Sequence, residues 1–354
     1  MEEKQQTPHK RRVRYKGKYP KKFEEKYKEL QPEKYQDMVE HVIKKGNTPA
    51  GMHISIMVDE ILDFLKIQPG EIGFDATLGY GGHTRAMLQC LKGQGHMYAT
   101  DVDPEESAKT KKRLEDLGYG EDILTIKLQN FCTIDEIAKE VGGFDFVLAD
   151  LGVSSMQIDN PKRGFSFKAD GPLDLRLNQQ KGISAAERLD TIGQDELAGM
   201  LYENSDEPYC QELAKAITDE IRRGNRVDTT TKLRGIIEKT LDFLPEKGKK
   251  ETVKKTCQRV FQALRIDVNQ EFEVLYEFME KLPGALKPGG RAAILTFHSG
   301  EDKLVKAAMK EGYRSGIYSS YSKDVIRPSA EECVQNPRAR STKLRWAIRE
   351  GNIS

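Results

Sequence analysis

The 354-residue sequence lacks any apolar run close to the ~20 residues that a membrane-spanning helix needs. Its first 28 residues are polar and basic, so the apolar centre of a secretory signal peptide is missing too. Both absences speak against a membrane or secreted protein. We therefore expect a cytoplasmic protein.

Cysteine is scarce, and no two cysteines form a CxxC pair. This pattern indicates neither a structural zinc site nor a redox dithiol, so no metal is predicted. Scattered single thiols fit a reducing compartment. The five positions are Cys90, Cys132, Cys210, Cys257 and Cys333.

An excess of one charge is also lacking, because 57 basic residues face 56 acidic ones and the net charge is +1. RNA binding would therefore need local basic patches. For the N-terminal patch, a solvated tail is an equally good interpretation. The two candidate patches are Lys10, Arg11, Arg12, Arg14, Lys16, Lys18, Lys21 and Lys22, and then Arg338, Arg340, Lys343, Arg345 and Arg349.

Strand and helix patterns alternate through the first half of the chain, which predicts an α/β fold with a mostly parallel sheet covered on both faces. Between 184 and 264 only helical patterns occur, and the alternation then returns. The predicted strands are 72–76, 96–100, 123–128, 144–149 and 291–297, the last preceded by a turn at 288–290. The predicted helices around them are 32–45, 54–64, 84–91, 104–117, 134–140 and 272–282.

This pattern predicts one α/β domain interrupted by an all-helical subdomain. The expected segments are a basic extension over 1–48, the first part of the α/β domain over 49–160, the helical insertion over 161–264, and the second part of the α/β domain over 265–354.

A glycine-rich turn over 79–82 follows the first predicted strand and precedes a helix, where open α/β sheets bind ligands. The dinucleotide fingerprint GxGxxG would require a third glycine at Thr84, so it is absent. A phosphate-binding P-loop is absent as well. The turn alone leaves a dinucleotide, a nucleotide and S-adenosylmethionine open as ligands.

Acidic residues end the next strands. Asp101 can accept hydrogen bonds from both ribose hydroxyls of an adenosine, whereas Asp103, before Pro104, suits the N-cap of a helix. Asp150 ends the fourth strand, at the same edge of the sheet. This edge is therefore the predicted ligand crevice.

Later motifs are more distinctive, and in their order they resemble the signature of the RsmH (MraW) family over about residues 52–350. The matching segments are 150–159 (DLGVSSMQID), 163–167 (RGFSF), 170–176 (DGPLDLR), 261–269 (FQALRIDVN), 297–302 (FHSGED) and 336–341 (NPRARS).

The resemblance implies a Rossmann-like methyltransferase domain with a helical substrate-recognition insertion. It also implies methylation of N4 of a decoding-centre cytidine in small-subunit rRNA, with S-adenosylmethionine as donor and the 30S subunit as partner. The family's cofactor contacts fall on Gly81, Gly82, His83, Asp101, Phe131, Asp150 and Gln157.

Two segments depart from the family's pattern. The residues 203–208 (ENSDEP) replace the usual Tyr-Gly-Glu-Glu stretch, and Gly300 replaces the leucine of Ser-Leu-Glu-Asp. The cofactor residues are unaffected, but a diverged second copy that methylates another RNA cytidine remains open.

For catalysis we expect Asp150 to lie near the point of methyl transfer, with His298 and Asn269 as secondary candidates. A structural hydrogen bond at a strand end is the better interpretation of His298. The loop from Arg163 to Arg176 could contact RNA phosphates or be held by internal ion pairs.

Two rival functions are a nicotinamide dehydrogenase and a non-catalytic RNA-binding factor of ribosome assembly. The missing third glycine and the later motifs count against the dehydrogenase, and the intact glycine turn and strand-end carboxylates count against the non-catalytic factor. Monomer and homodimer both stay open.

Overall fold

The structure is a computed structural model, and it describes residues 55–351. The predicted basic extension over 1–48, with its helix at 32–45, lies outside the described residues.

Seven strands of the described residues form one sheet in the order β3-β2-β1-β4-β5-β7-β6. Strands β1 to β5 are parallel, whereas β7 runs antiparallel to both β5 and β6. This sheet, with its helices, is the predicted Rossmann-like methyltransferase fold. The strands are β1 (Ile72–Asp75), β2 (His96–Asp101), β3 (Leu124–Leu128), β4 (Phe144–Asp150), β5 (Leu286–Thr296), β6 (Tyr318–Tyr321) and β7 (Lys343–Arg349).

Helices cover both faces of the sheet. One buried cluster joins the sheet to α4 (Ile134–Val141), α11 (Glu271–Ala285) and α12 (Ser299–Arg314). A second cluster joins the other face to α1 (Val58–Leu65), α2 (Gly82–Leu91) and α3 (Pro104–Asp116). Each helix buries one apolar stripe, as the period of 3.6 residues requires.

The insertion has its own core. Its helices α6 to α10 pack around a third buried cluster that draws its apolar side chains from residues 165–264. These helices are α6 (Ala185–Thr191), α7 (Gln194–Ser205), α8 (Cys210–Arg222), α9 (Thr230–Thr240) and α10 (Glu246–Asn269). Because α10 continues to Asn269, the boundaries at 161 and 264 remain proposals.

Three local features differ from the prediction. The short helix α5 (Ser155–Asp159), which follows β4, was not predicted. The expected turn at 288–290 lies inside β5, as a bulge between the pairs Phe144–Leu286 and Phe146–Arg291. Strands β6 and β7, helix α12 and the short helix α13 (Ala330–Gln335) were not predicted.

Among the helices of residues 55–351, none combines the length and the apolar character needed to cross a bilayer.

Candidate active site

The glycine turn at the carboxyl end of β1 brings backbone close to its neighbours. Gly81 is the N-cap of α2 with φ +82°, a left-handed conformation that favours glycine. A Cβ at Gly82 would lie 2.0 Å from Ser55 Oγ, so residue 55 packs directly on the turn. The glycines at 81 and 82 therefore make room for close contacts within the protein at the start of α2.

Asp75 holds this turn in place. Its carboxylate accepts from Thr84 Oγ1 at 2.6 Å and from the Thr77 N–H at 3.0 Å. Burial of the carboxylate raises the pKa of Asp75, against the opposing effect of these hydrogen bonds. Because both oxygens are engaged and the side chain is buried, Asp75 supports the turn from behind.

Asp101 lies across the turn, at the end of β2. One oxygen accepts from the Gly79 N–H and the other from the Asp103 N–H, both at 2.9 Å. Burial raises the pKa of Asp101 to about 6. A carboxylate has about four lone-pair sites, so each oxygen retains acceptor capacity for a ribose hydroxyl.

Asp150, at the end of β4, faces His83 of α2. His83 Nε2 contacts the Ile56 carbonyl at 2.9 Å, and Nδ1 lies 3.4 Å from Asp150 Oδ2. Since both ring nitrogens face acceptors, the protonated imidazolium is favoured. Burial lowers the pKa of His83, but the hydrogen bond and the charge of Asp150 outweigh it, and the net shift is upward.

The other oxygen of the Asp150 carboxylate differs from Oδ2 in its surroundings. Asp150 Oδ1 is buried and has no hydrogen-bond partner among the described residues. The backbone of Asp150 is fixed, because its N–H donates to Thr77 Oγ1 at 2.7 Å. The site thus presents a positioned acceptor at the carboxyl edge of the sheet, next to the glycine turn.

Gln157 lies in a network behind the crevice. Its Nε2 donates to Asp103 Oδ2 at 3.0 Å, and its Oε1 accepts from the Ser154 N–H at 2.9 Å as part of a capping box. Asp103 is the N-cap of α3, as predicted. Phe131, another predicted cofactor contact, packs edge-on against Phe278 with ring centroids 5.1 Å apart.

Arg163 is a residue whose role sequence reasoning left undecided. Its buried guanidinium donates to Asp103 Oδ2 at 2.7 Å and to the carbonyl of Leu177 at 2.7 Å. Arg176 pairs with Asp174 at 2.8 Å. The loop from Arg163 to Arg176 is therefore held by internal ion pairs, and its role as a phosphate contact is not supported.

Asn269 does not present a free group to the crevice. Its amide nitrogen donates to the carbonyls of Leu175 and Arg265, both within 2.8 Å, and its oxygen accepts from the Leu177 N–H at 2.7 Å. The amide holds the loop onto the end of α10. The structure thus places this secondary catalytic candidate in a structural position.

His298 caps α12. Its Nδ1 accepts from the Glu301 N–H, and its Nε2 lies 3.1 Å from Glu301 Oε1. The preferred interpretation as a strand-end structural hydrogen bond fits this geometry. Nδ1 is thus occupied by the Glu301 N–H, whereas the buried Nε2 lies beside Glu301 Oε1 without forming a hydrogen bond among the described residues.

A charged cluster surrounds this histidine and was missed by sequence reasoning. Glu271, His298 and Glu301 bring ligand-type atoms within 4.8 Å of one another, a spacing that a metal ion could use. Arg265 binds both oxygens of Glu271 at 2.8 Å, however, so the cluster already has a countercharge. Arg265 and Glu271 come from adjacent helices, and no local sequence signal marks the pair.

Most side chains of the C-terminal basic segment pair with other groups of the protein. The prediction of this segment as an RNA-binding patch is corrected accordingly. Lys343 and Arg345 both pair with Asp302, at 2.8 and 2.7 Å. Arg338 pairs with Asp159 at 2.9 Å, and Arg349 donates to the Leu286 carbonyl. Only Arg340 is exposed without a described partner.

Comparison with known proteins agrees with this architecture, since the family model described as "MraW methylase family" matches residues 50–350. The chain belongs to the MraW methylase family. Its methyl donor is S-adenosylmethionine, and two groups beside the turn suit an adenosyl group: Asp101 retains acceptor capacity, and Asp150 offers a buried acceptor.

Relatives in this family match the chain over most of their own length. Ribosomal RNA small subunit methyltransferase H 1 of Agathobacter rectalis is 83% identical, over 98% of this chain and 99% of that protein. Ribosomal RNA small subunit methyltransferase H 2 of Alkaliphilus metalliredigens is 63% identical, over 96% and 97%. Ribosomal RNA small subunit methyltransferase H of Acidobacterium capsulatum is 36% identical, over 83% and 97%.

Proposed function

We propose that this chain methylates N4 of a decoding-centre cytidine in small-subunit ribosomal RNA. The names of its relatives support an rRNA substrate. The single structural observation that carries the chemistry is the buried, unpartnered Oδ1 of Asp150. An acceptor at this point suits a nucleophile that arrives with N–H bonds, as an exocyclic amine does.

Bound S-adenosylmethionine supplies a methyl group already activated on a sulfonium, so the protein's main task is positioning. The glycine turn and Asp101 hold the adenosyl end. Asp150 Oδ1 would accept a hydrogen bond from the amino group and so direct the nitrogen lone pair. As the N–C bond forms and the methyl–sulfur bond breaks, with S-adenosylhomocysteine as the leaving group, the same oxygen would take the amino proton. His83 orients the carboxylate of Asp150 through Oδ2.

We propose the assembled or nearly assembled 30S subunit as the substrate. The target base must leave any helix that contains it before it can enter the crevice. The helical insertion follows directly after β4, so it stands beside the same edge of the sheet and is the proposed rRNA-recognition part.

A second candidate is a diverged copy that methylates another RNA cytidine. Relatives at 83% and 63% identity carry the names H 1 and H 2, and this numbering supports the existence of a second copy. Mass-spectrometric mapping of rRNA methylation in cells lacking the gene separates the two. Loss of a decoding-centre N4-methylcytidine supports the main proposal, whereas loss of a methyl group elsewhere supports the diverged copy.

Substitution of Asp150 tests the proposed role directly. Asp150→Asn replaces the acceptor carboxylate with a neutral amide of the same shape, so we expect methyl transfer to fall by about 10²–10⁴-fold, the usual contribution of one acid–base group. Transfer of a tritiated methyl group to small subunits from the deletion strain measures this. Wild-type turnover in the variant would contradict the mechanism.

A further inference from the structure

A separate cavity of about 460 Å³ opens between the end of α7 in the insertion and the start of α12 in the sheet domain. Glu203, Asn204 and Asp206 line it from the insertion side. Phe272, Gly300 and Lys303 line it from the sheet domain. Neither the proposed donor site nor Asp150 forms part of this lining.

Both segments in which the sequence departs from the family's pattern meet in this cavity. The stretch 203–208 contributes three lining residues, and the substituted position of the Ser-Leu-Glu-Asp motif contributes Gly300. The two segments lie about a hundred residues apart in the chain, so their meeting in space is not a consequence of sequence neighbourhood. The changes together alter one cavity.

Gly300 has a definite steric role there. A Cβ at this position would lie 2.6 Å from Phe272 Cζ and 3.2 Å from His298 Nδ1. The Phe272 ring also packs edge-on against His298, with centroids 5.7 Å apart. A leucine at position 300 would thus displace the ring that forms one wall of the cavity.

The polar groups of the wall are available to a ligand. Glu203 and Asp206 are exposed at the rim, and neither carboxylate has a hydrogen-bond or ion-pair partner among residues 55–351. The ammonium of Lys303 is likewise without a described partner. The ring of Phe272 can stack on a nucleobase, and the two carboxylates can accept hydrogen bonds from its exocyclic amine. The ammonium of Lys303 can contact the phosphate of the same nucleotide.

The cavity lies along the same edge of the sheet as the point of methyl transfer. Asp150 is opposite Leu295 in the pairing of β4 with β5. Gly300 follows five residues after Leu295, so these two residues lie within about 17 Å of each other. The spacing between β4 and β5 adds about 5 Å to the limit for Asp150 and Gly300. An RNA strand whose target base enters the crevice can therefore reach the cavity with a nearby nucleotide.

We infer that this cavity binds a second base of the RNA substrate, one that carries an amino group and lies within a few nucleotides of the methylated cytidine. This inference rests on the proposed function and adds a specificity site to it. The carboxylates of Glu203 and Asp206 oppose entry of a phosphate, so the base enters while its phosphate stays near Lys303.

Two variants test the inference in the full-length enzyme with small subunits from the deletion strain. Gly300→Leu displaces the Phe272 wall, and Glu203→Gln removes one acceptor charge. We expect each to raise the KM for subunits by about tenfold, the order of one lost base contact. The dissociation constant for S-adenosylmethionine and kcat at saturating subunits should stay near wild type.

Lys306→Ala is the matched control, because Lys306 is exposed on the same helix and lies outside the cavity. Its KM should equal that of wild type. Should Gly300→Leu fail to fold, as judged by its melting temperature, Glu203→Gln still decides, since Glu203 is exposed at the rim. Wild-type KM values in the folded cavity variants would overturn the inference.

A cross-linking experiment gives an independent readout. A photoreactive amino acid at position 203 should link to rRNA within a few nucleotides of the methylated cytidine, whereas a link to a distant rRNA helix would overturn the inference. If wild type methylates no rRNA, the proposed function fails. If wild type methylates rRNA but the cavity variants behave like it, only the second-base site fails.

Discussion

Asp101 stands at the end of β2 with each carboxylate oxygen already accepting one backbone N–H, from Gly79 and from Asp103. Its burial raises its pKa to about 6, well above the ordinary value for an aspartate. Its charge therefore changes within a pH range in which the protein can be studied. Only the ionised form can accept from both ribose hydroxyls.

We expect S-adenosylmethionine to bind more weakly as the pH falls through about 6, because the lower pH protonates Asp101. One unit below that pKa only about a tenth of the carboxylate is ionised, so the dissociation constant at pH 5 should be about tenfold higher than at pH 7. Calorimetric titration between pH 5 and 8 measures it.

The Asp101→Asn variant is the control for this pH dependence. It should bind the donor weakly at every pH, with the step near pH 6 removed. A step that persists in the variant would assign the pH dependence to another group.

For single residues, the sequence predicted the surroundings correctly where the position along a strand determines them. Asp101 and Asp150 were predicted at the crevice because they end parallel strands, and both lie there. Asn269 and His298 are also polar, but they are not available at the crevice in the same way. Asn269 binds the loop at 175–177, and His298 contacts Glu301. Such partners depend on packing, which a single sequence does not show.

Among the secondary-structure elements, α3 and the insertion are joined by a buried ion pair. The side chains of Arg163 and Asp103 are only 6% and 2% exposed, so removing one partner leaves the other charge buried and unpaired. Asp103 also caps α3, and it would lose part of its charge compensation.

Arg163→Leu should therefore lower the free energy of unfolding by about 3–5 kcal/mol, the usual effect of breaking a buried pair. Urea unfolding followed by circular dichroism measures the change. Lys162→Ala is the neighbouring control: its side chain is exposed, so the effect should stay within about 0.5 kcal/mol. Equal stability of Arg163→Leu and wild type would show that the pair contributes little.

Sequence reasoning missed strand β7 because of its charged residues. Strand β7 contains Lys343, Arg345 and Arg349, and its charges gave it the appearance of an exposed basic segment. Two of these side chains, Lys343 and Arg345, pair with Asp302, about forty residues earlier on α12. Parallel strands β1 to β4 were predicted because short segments with buried apolar residues alternate there with helical patterns.

For the whole molecule, the important feature is the separation of the apolar cores. The insertion packs around its own buried cluster, while the sheet has one cluster on each face. A bound ligand suppresses only those local openings of the structure that destroy its binding site. The donor crevice is built from the turn after β1 and from the ends of β2 and β4, without the central helices of the insertion.

S-adenosylmethionine should thus slow amide hydrogen exchange at residues 76–85 and 150–152 but leave α8 and α9 unchanged. Exchange followed by mass spectrometry, with and without donor, measures this difference. Equal protection of α8 and α9 would mean that the insertion and the sheet domain open as one cooperative unit.

The chain enters and leaves the insertion through two connecting segments that are hydrogen-bonded to each other. Asn269, on the returning connection, binds the backbone of Leu175 and Leu177 on the outgoing one, and Arg163 ties that same loop to Asp103. These hydrogen bonds leave the insertion little freedom to move over a bound RNA strand. Conformational adjustment then falls to the RNA, and the frequency with which the target base visits its flipped-out state sets how often the crevice can be filled.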